Sequence, residues 1–183
     1  MFEEKGQITA RTNMAQILQG LAMRQDFMTY VEVGTWKGQG STKCIADELI
    51  LRNDDSQLYS VEMRKDMYEE AKMYWDCILL PMPFKRDKVN LLNGVIVDET
   101  GVMSEEEFLK ELDSGELTSQ AEFYNLSSRG EIKFVILDDV LTVKNFSLNK
   151  ELCASKDWKL IDFSDRRHGY SVFLNSKYEM FTE

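Results

Sequence analysis

The sequence is short of basic side chains, of cysteine, of histidine and of long apolar runs, and each shortage removes a class of function. Lysine and arginine number 22 against 32 aspartates and glutamates, leaving a formal net charge of −10. A nucleic-acid backbone is gripped by clustered Lys and Arg, so no nucleic-acid partner is expected, whereas a neutral or cationic small molecule suits the balance. The 3 cysteines, Cys44, Cys77 and Cys153, are odd in number and scattered, with no Cys-x-x-Cys pair. Reduced thiols are expected, not a disulfide scaffold or a zinc site. No apolar run approaches a membrane span, and Met1-Phe2-Glu3-Glu4-Lys5-Gly6 lacks the basic and apolar regions of a signal peptide. These features predict a soluble, cytoplasmic protein with no membrane partner.

What is present is a chain of 183 residues, 43% hydrophobic, enough for one core. After an arm at 1–8, Met14, Ile17, Leu18, Leu21 and Ala22 recur at helical spacing and predict an amphipathic helix over 12–27. The stretch 30–42 then organises the rest. Val31 and Val33 are β-branched and read as a short buried strand that ends at Gly34, where a chain can turn without a Cβ clash. Gly38 and Gly40 keep the following loop bare, and Ser41 or Thr42 can cap a helix over 43–51. A helix N-terminus behind a bare loop offers N–H groups and a positive dipole end to an anionic ligand group. Strand, glycine loop and helix together read as a cofactor-binding turn.

Gln57-Leu58-Tyr59-Ser60-Val61-Glu62 alternates as a second strand ending on a carboxylate. A helix over 64–80 follows, stopped by Pro81-Met82-Pro83 because proline cannot continue it. Residues 89–97 predict a third strand broken at Gly94. This alternation is the mark of an α/β, doubly wound, mostly parallel sheet. The middle admits two readings: Ser104 and Glu107 are spaced as a capping box, yet a fourth strand is expected near 108–112. A helix at 118–126 and a turn at 127–130 lead to Lys133-Phe134-Val135-Ile136-Leu137-Asp138-Asp139, an apolar strand capped by two carboxylates. A helix over 142–154 and two strands, 158–163 and 170–174, complete the chain, the strands forming an antiparallel hairpin at the sheet edge.

Glu62 ends the second strand about twenty residues beyond the glycine loop, where an acid can accept from both hydroxyls of a ribose. The spacing Gly34-x-x-x-Gly38-x-Gly40, preceded by Glu32, differs from the dinucleotide fingerprint G-x-G-x-x-G. At these residues the sequence resembles the class I (Rossmann-like) S-adenosylmethionine-dependent methyltransferases. Val31 to Thr42 looks like that family's first motif and Tyr59-Ser60-Val61-Glu62 like its second. The resemblance continues through Leu137-Asp138-Asp139-Val140 with Lys144-Asn145, and through the closing hairpin at Trp158-Lys159-Leu160-Ile161 and Gly169-Tyr170-Ser171-Val172-Phe173. It implies a Rossmann-like sheet of about seven strands with an antiparallel C-terminal hairpin, as a single domain over 28–183 behind an N-terminal arm and helix at 1–27. It also implies S-adenosylmethionine as cofactor, lying against Glu32, Gly34, Thr35, Trp36, Gly38, Gly40 and Ser41. Glu62 and Met63 would lie at its ribose, Asn93 and Gly94 near its adenine, and Asp113 at the methionine end. The family's pattern favours a strand just before Asp113.

Asp138 and Asp139 stand at a strand end where open α/β sheets bind ligands. They are the candidate catalytic pair, and with Asp113 a candidate Mg²⁺ site, since hard cations prefer carboxylate oxygens. The alternative gives one of them to the cap of the next helix and the other to solvent. His168, the only histidine, suits a general base or a plain surface loop. Trp36 can face a sulfonium through a cation–π contact or pack on the N-terminal helix. The expected activity is O-methylation of a small-molecule hydroxyl, of a sugar or a natural product, with a nitrogen acceptor as the alternative and with the N-terminal helix or a second subunit able to roof the site. The rivals are a nucleotide-sugar or dinucleotide enzyme of the same fold class, against which the glycine spacing speaks, and a non-catalytic S-adenosylmethionine- or nucleotide-binding regulator or scaffold.

Overall fold

A computed structural model describes residues 8–9, 11–98, 101–103, 118–142 and 144–178. These fall into two compact units, one holding the residues up to Val95 with 102–103, the other holding 96–98, 101 and everything from Thr118 on. The readings made for 104–113, capping box or fourth strand, and Asp113 itself lie outside the described residues, as does most of the N-terminal arm.

The first unit begins with α1 (Asn13–Ala22), capped by the Thr12 hydroxyl, which accepts from the Ala15 N–H at 3.2 Å. The helix ends five residues before its expected end at 27: the Met23 N–H closes it on the Gln19 carbonyl, and Arg24 pairs with Asp26 in the turn beyond. β1 (Thr29–Val33), α2 (Ser41–Leu51), β2 (Gln57–Glu62), α3 (Lys65–Leu79) and β3 (Val89–Asn93) then alternate, with a 3-10 turn at Pro83–Lys88 where the prolines end α3. The three strands are parallel in the order β1-β2-β3, Val33 beside Val61 and Glu62 beside Asn93. Leu58 and Val61 of β2, Ala46 and Leu49 of α2 and Ala71 and Trp75 of α3 are buried, α2 and α3 both pack on β2, and α1 packs on α2. The expectation of a buried β1 fails in part: Val31 and Val33 keep 44% and 37% of their surface. Gly94, at φ 144°, breaks the expected third strand, and β4 (Val95–Asp98) beyond it folds back on β5 (Gly101–Met103), a pairing the sequence did not announce.

The second unit contains α4 (Thr118–Arg129), β6 (Phe134–Asp138), α5 (Phe146–Ala154), β7 (Trp158–Ser164) and β8 (Tyr170–Asn175). Its sheet is antiparallel in the order β6-β8-β7, with Asp138 opposite Tyr170 and a bulge between Leu160 and Asp162. The hairpin therefore does not lie wholly at an edge. β8, with the apolar run Val172-Phe173-Leu174 buried on both faces, is the middle strand, as near-continuous apolar strands are. Leu137, Val140, Leu148, Leu152 and Phe173 make the core, with Phe123, Val135 and Trp158 against it. α4 runs on through the turn expected at 127–130. α5 starts four residues after its expected start at 142, because the Asp139 carbonyl takes both the Thr142 N–H (3.0 Å) and hydroxyl (2.8 Å) in a tight turn. Among the described helices none is long and apolar enough to cross a membrane.

Candidate functional site

The glycine loop is built from the inside out by contacts between its backbone and its neighbours. Gly34, at φ 92°, donates its N–H to the Val61 carbonyl at 2.8 Å, and Thr35 donates to the same oxygen at 3.2 Å. The chain is thereby turned across the end of β2. Gly38, at φ 71°, lies on α3: its carbonyl accepts from the Trp75 indole N–H at 3.0 Å, and a Cβ there would sit 2.8 Å from Trp75 Nε1 and 3.2 Å from the Ala71 methyl. No other residue fits that close approach without strain. Lys37 reaches back to Glu70 of α3 at 2.8 Å.

Gly40 occupies the N-cap of α2 and no side chain caps it, which corrects the capping role expected of Ser41 and Thr42. Their hydroxyls turn the other way and donate to the carboxylate of Glu32, Ser41 to Oε1 and Thr42 to Oε2 at 2.6 Å. Ser60 of β2 donates to Oε2 as a third hydroxyl at 2.5 Å, and its oxygen lies 2.6 Å from Thr35 Oγ1. An enclosed carboxylate needs donors more than a helix end needs a cap, since the helix end can turn to water. Enclosure pushes the Glu32 carboxyl up from its ordinary range, and the three hydroxyls pull it back. Glu32 therefore fastens strand, loop and helix together. Ser60 was missed by sequence reading; its one signal was a small polar residue in an apolar strand.

Glu62 is 7% exposed and is held by two backbone donors: the Trp36 N–H at 2.7 Å to Oε2 and the Arg64 N–H at 2.9 Å to Oε1. One bond on each oxygen leaves each a free lone pair. Asn93 steadies this corner, its amide donating to the carbonyls of Glu62 (2.8 Å) and Met63 (3.2 Å), while the Gly94 N–H also donates to the Glu62 carbonyl at 2.9 Å. Trp36, at φ 52°, leaves 47% of its surface exposed and has the Arg64 guanidinium 5.7 Å from its ring centre. Glu32, Gly34, Thr35, Trp36, Gly38, Gly40, Ser41, Glu62, Met63, Asn93 and Gly94 thus all stand at the C-terminal ends of β1, β2 and β3, where open parallel sheets take ligands.

In the second unit, the C-terminal end of β6 gathers a second polar group. The Asp138 carboxyl is pushed up first by burial and then by the neighbouring Asp139, with the charges of Lys144 and His168 pulling it down. Asp139 sits at φ 58° with one buried oxygen, Oδ1, lacking a hydrogen-bond partner. Neither aspartate caps α5: its N-cap is Asn145, whose amide donates to the Asp138 carbonyl. His168 is brought to the same end by backbone bonds, Leu141 N–H to His168 O at 2.8 Å and Val140 N–H to Gly169 O at 3.3 Å. Among the described residues no group of three or more His, Cys, Asp or Glu is placed to hold a metal ion, and Asp113, the third candidate ligand, lies outside those residues. Glu122 of α4, buried near Lys144, was not singled out in the sequence, where it is one glutamate among the residues of an amphipathic helix.

Solved structures share this fold. An O-methyltransferase from Bacillus cereus in complex with S-adenosylhomocysteine matches over 93% of this chain and 84% of its own, at TM-score 0.65 and 14% identity. TomG of Streptomyces achromogenes, an O-methyltransferase of tomaymycin synthesis in complex with S-adenosylmethionine, matches over 92% of this chain and 82% of its own (TM-score 0.61, 14% identity). A methyltransferase from Geobacter sulfurreducens covers 92% and 80% (TM-score 0.59, 14% identity). No protein-family model matches the sequence, and no curated protein does. The chain has the mixed α/β fold of the class I methyltransferases.

Proposed function

We propose that the protein is an S-adenosylmethionine-dependent methyltransferase acting on a small-molecule hydroxyl, of a sugar or natural product. One observation carries the reading. In a chain with the fold of methyltransferases, Glu62 is locked by the Trp36 and Arg64 N–H groups with a free lone pair on each oxygen, poised for a pair of vicinal hydroxyls. The seven-stranded doubly wound sheet belongs to the same reading. The order β1-β2-β3 is the first half of the doubly wound order, and the antiparallel β7–β8 hairpin is the expected closing element.

The residues fit such a cofactor. The Gly38 contact leaves no room for a side chain behind the loop, and Glu62, Met63, Asn93 and Gly94 form one hydrogen-bonded corner at the strand ends. Glu62 would take the ribose hydroxyls, the backbone of 34–38 would line the methionine portion, and Asn93 and Gly94 would flank the adenine. S-adenosylmethionine supplies an activated methyl group on a sulfonium. The protein's part is alignment, exclusion of water and acceptance of the hydroxyl proton. Asp138 suits the last task, because a carboxyl held above its ordinary range is a better proton acceptor near neutral pH.

Titration calorimetry with S-adenosylmethionine, S-adenosylhomocysteine and NAD tests the reading. The two adenosyl ligands should bind and NAD should not. Glu62→Ala should weaken S-adenosylmethionine by about 1–3 kcal/mol, the cost of charge-assisted hydrogen bonds. NAD binding alone, or an unchanged dissociation constant in the variant, overturns the assignment. Binding with no methyl transfer to any acceptor across a metabolite panel would turn it into the regulator or scaffold.

A further inference from the structure

The end of the first unit's sheet opposite the glycine loop, where β1, β2 and β3 begin, is built around the Arg52 guanidinium. Its Nη1 donates to the carbonyls of Ala22 (2.9 Å) and Arg24 (2.8 Å), its Nη2 to the Phe27 carbonyl (3.0 Å) and the Met28 sulfur (3.7 Å), and its Nε to Asp54 (2.7 Å). Lys85 of the 3-10 turn joins the set, donating to the Arg52 carbonyl at 2.6 Å. Three segments, 22–28, 51–55 and 83–88, are thereby tied into one platform. On it four large apolar side chains face solvent: Met23 at 60%, Met28 at 41%, Leu51 at 76% and Phe84 at 77% exposed. Each is bonded to, or adjacent in the chain to, a residue of that set, so their backbones are held where they are. Together they offer about 500 Å² of surface, which is at the top of the range for the largest apolar patch of a monomer. It is also most of the about 800 Å² that one partner buries in a standard interface.

Charge decides what can cover it. Segments 22–28 and 51–55 carry two basic and three acidic side chains, and 83–88 carries Lys85, Arg86 and Lys88 against Asp87, so the platform is within one charge of neutral in a chain of net charge −10. Most of these charges are spent internally, Arg24 on Asp26 at 2.9 Å and Arg52 and Lys88 on Asp54 at 2.6 and 3.2 Å. Two copies of so acidic a chain repel each other across the rest of their surfaces, and an anionic membrane repels either one. A near-neutral apolar face meets its own copy without conflict, and a face that matches itself is what a two-fold axis requires. We propose that this platform is a dimer interface: Met23, Met28, Leu51 and Phe84 of one copy pack about a two-fold axis against the same four side chains of a second copy. The glycine loop lies at the other ends of the strands, so the second copy leaves it open rather than roofing it. The pairing holds whether or not the chain is a methyltransferase.

Sedimentation equilibrium of the full chain over a micromolar concentration series tests it. The wild type should be a dimer. Phe84→Asp and Leu51→Asp should each raise the dimer dissociation constant by roughly thirtyfold or more, as loss of an anchor in an apolar interface does. Both side chains are exposed within the chain, so circular dichroism should show the variants folded. Met73→Asp, also at an exposed position (56%) but on α3, should leave the dimer intact. Hydrogen exchange reads the same surface with no substitution: on dilution, 22–28, 51–55 and 83–88 should lose protection together while the glycine loop does not change. A monomeric wild type, a dimer that survives both interface variants, one broken by Met73→Asp alone, or one whose exchange changes elsewhere overturns the proposal. So does a monomer that co-sediments with phosphatidylserine vesicles. Failure to bind S-adenosylmethionine would sink the enzymatic reading and leave the sedimentation result untouched.

Discussion

Glu32 and Glu122 are both acids of the interior, one at the end of β1 and one on α4, and the protein surrounds them differently. Glu32 is met by three hydroxyls, of Ser41, Thr42 and Ser60. Glu122 leaves Oε1 with no partner and relies on the distant pull of Lys144. Burial raises both carboxyls, but only in the first unit do hydrogen bonds answer it. A carboxylate with its donors in place fixes geometry, and here it fixes the loop that would hold a cofactor. A carboxyl without them is left responsive to its surroundings, and here the charge that it answers to is that of Lys144.

Substitutions can break or sharpen that contrast. The largest effect is expected at the loop that Glu32 braces. Gly38→Ala places a methyl against Trp75 and Ala71 at a φ of 71° and should cost about 3 kcal/mol in urea denaturation. Wild-type stability in that variant would mean the loop moves freely off α3. Glu32→Ala strands three hydroxyls together and should cost about 2 kcal/mol, with weaker S-adenosylmethionine binding as a second readout. If Glu32 were a solvent-facing acid, neither would change.

The smallest expected effect has the opposite sign. Because burial raises Glu122 to about 7 in the folded chain against an ordinary value near 4.5, its contribution to stability is full below the ordinary value. That contribution is lost as pH rises through the folded value. Glu122→Gln removes the loss, so the variant should exceed the wild type by about 1–2 kcal/mol at pH 8 and match it near pH 4. Thermal melts at the two pH values check this, and a variant less stable at pH 8 would show that Glu122 is well paired after all.

The residues of the first unit were legible because most act locally. Gly34 and Gly38 turn a chain wherever they stand, and Glu62 ends its strand where the alternation of 57–62 puts it. What misled was action at a distance. Ser41 and Thr42 look like helix caps until Glu32, nine and ten residues earlier, claims their hydroxyls. The start of α5 was masked in the same way, since nothing in Thr142 alone shows that the Asp139 carbonyl will hold it in a turn. Glu122 could not be read at all. A glutamate on an amphipathic helix is ordinarily on the wet face, and only packing reveals that this one is not.

The bond between the Trp75 indole and the Gly38 carbonyl gives the molecule an optical use. An indole's emission depends on the partner of its N–H and on nearby dipoles, and this one is wedged against the backbone of the glycine loop. A small adenosyl compound that reshaped 34–40 would shift the colour and intensity of that fluorophore, so a ligand in the loop could be followed in unlabelled protein by ultraviolet excitation, with Trp36→Phe and Trp158→Phe in place so that Trp75 is the one indole left.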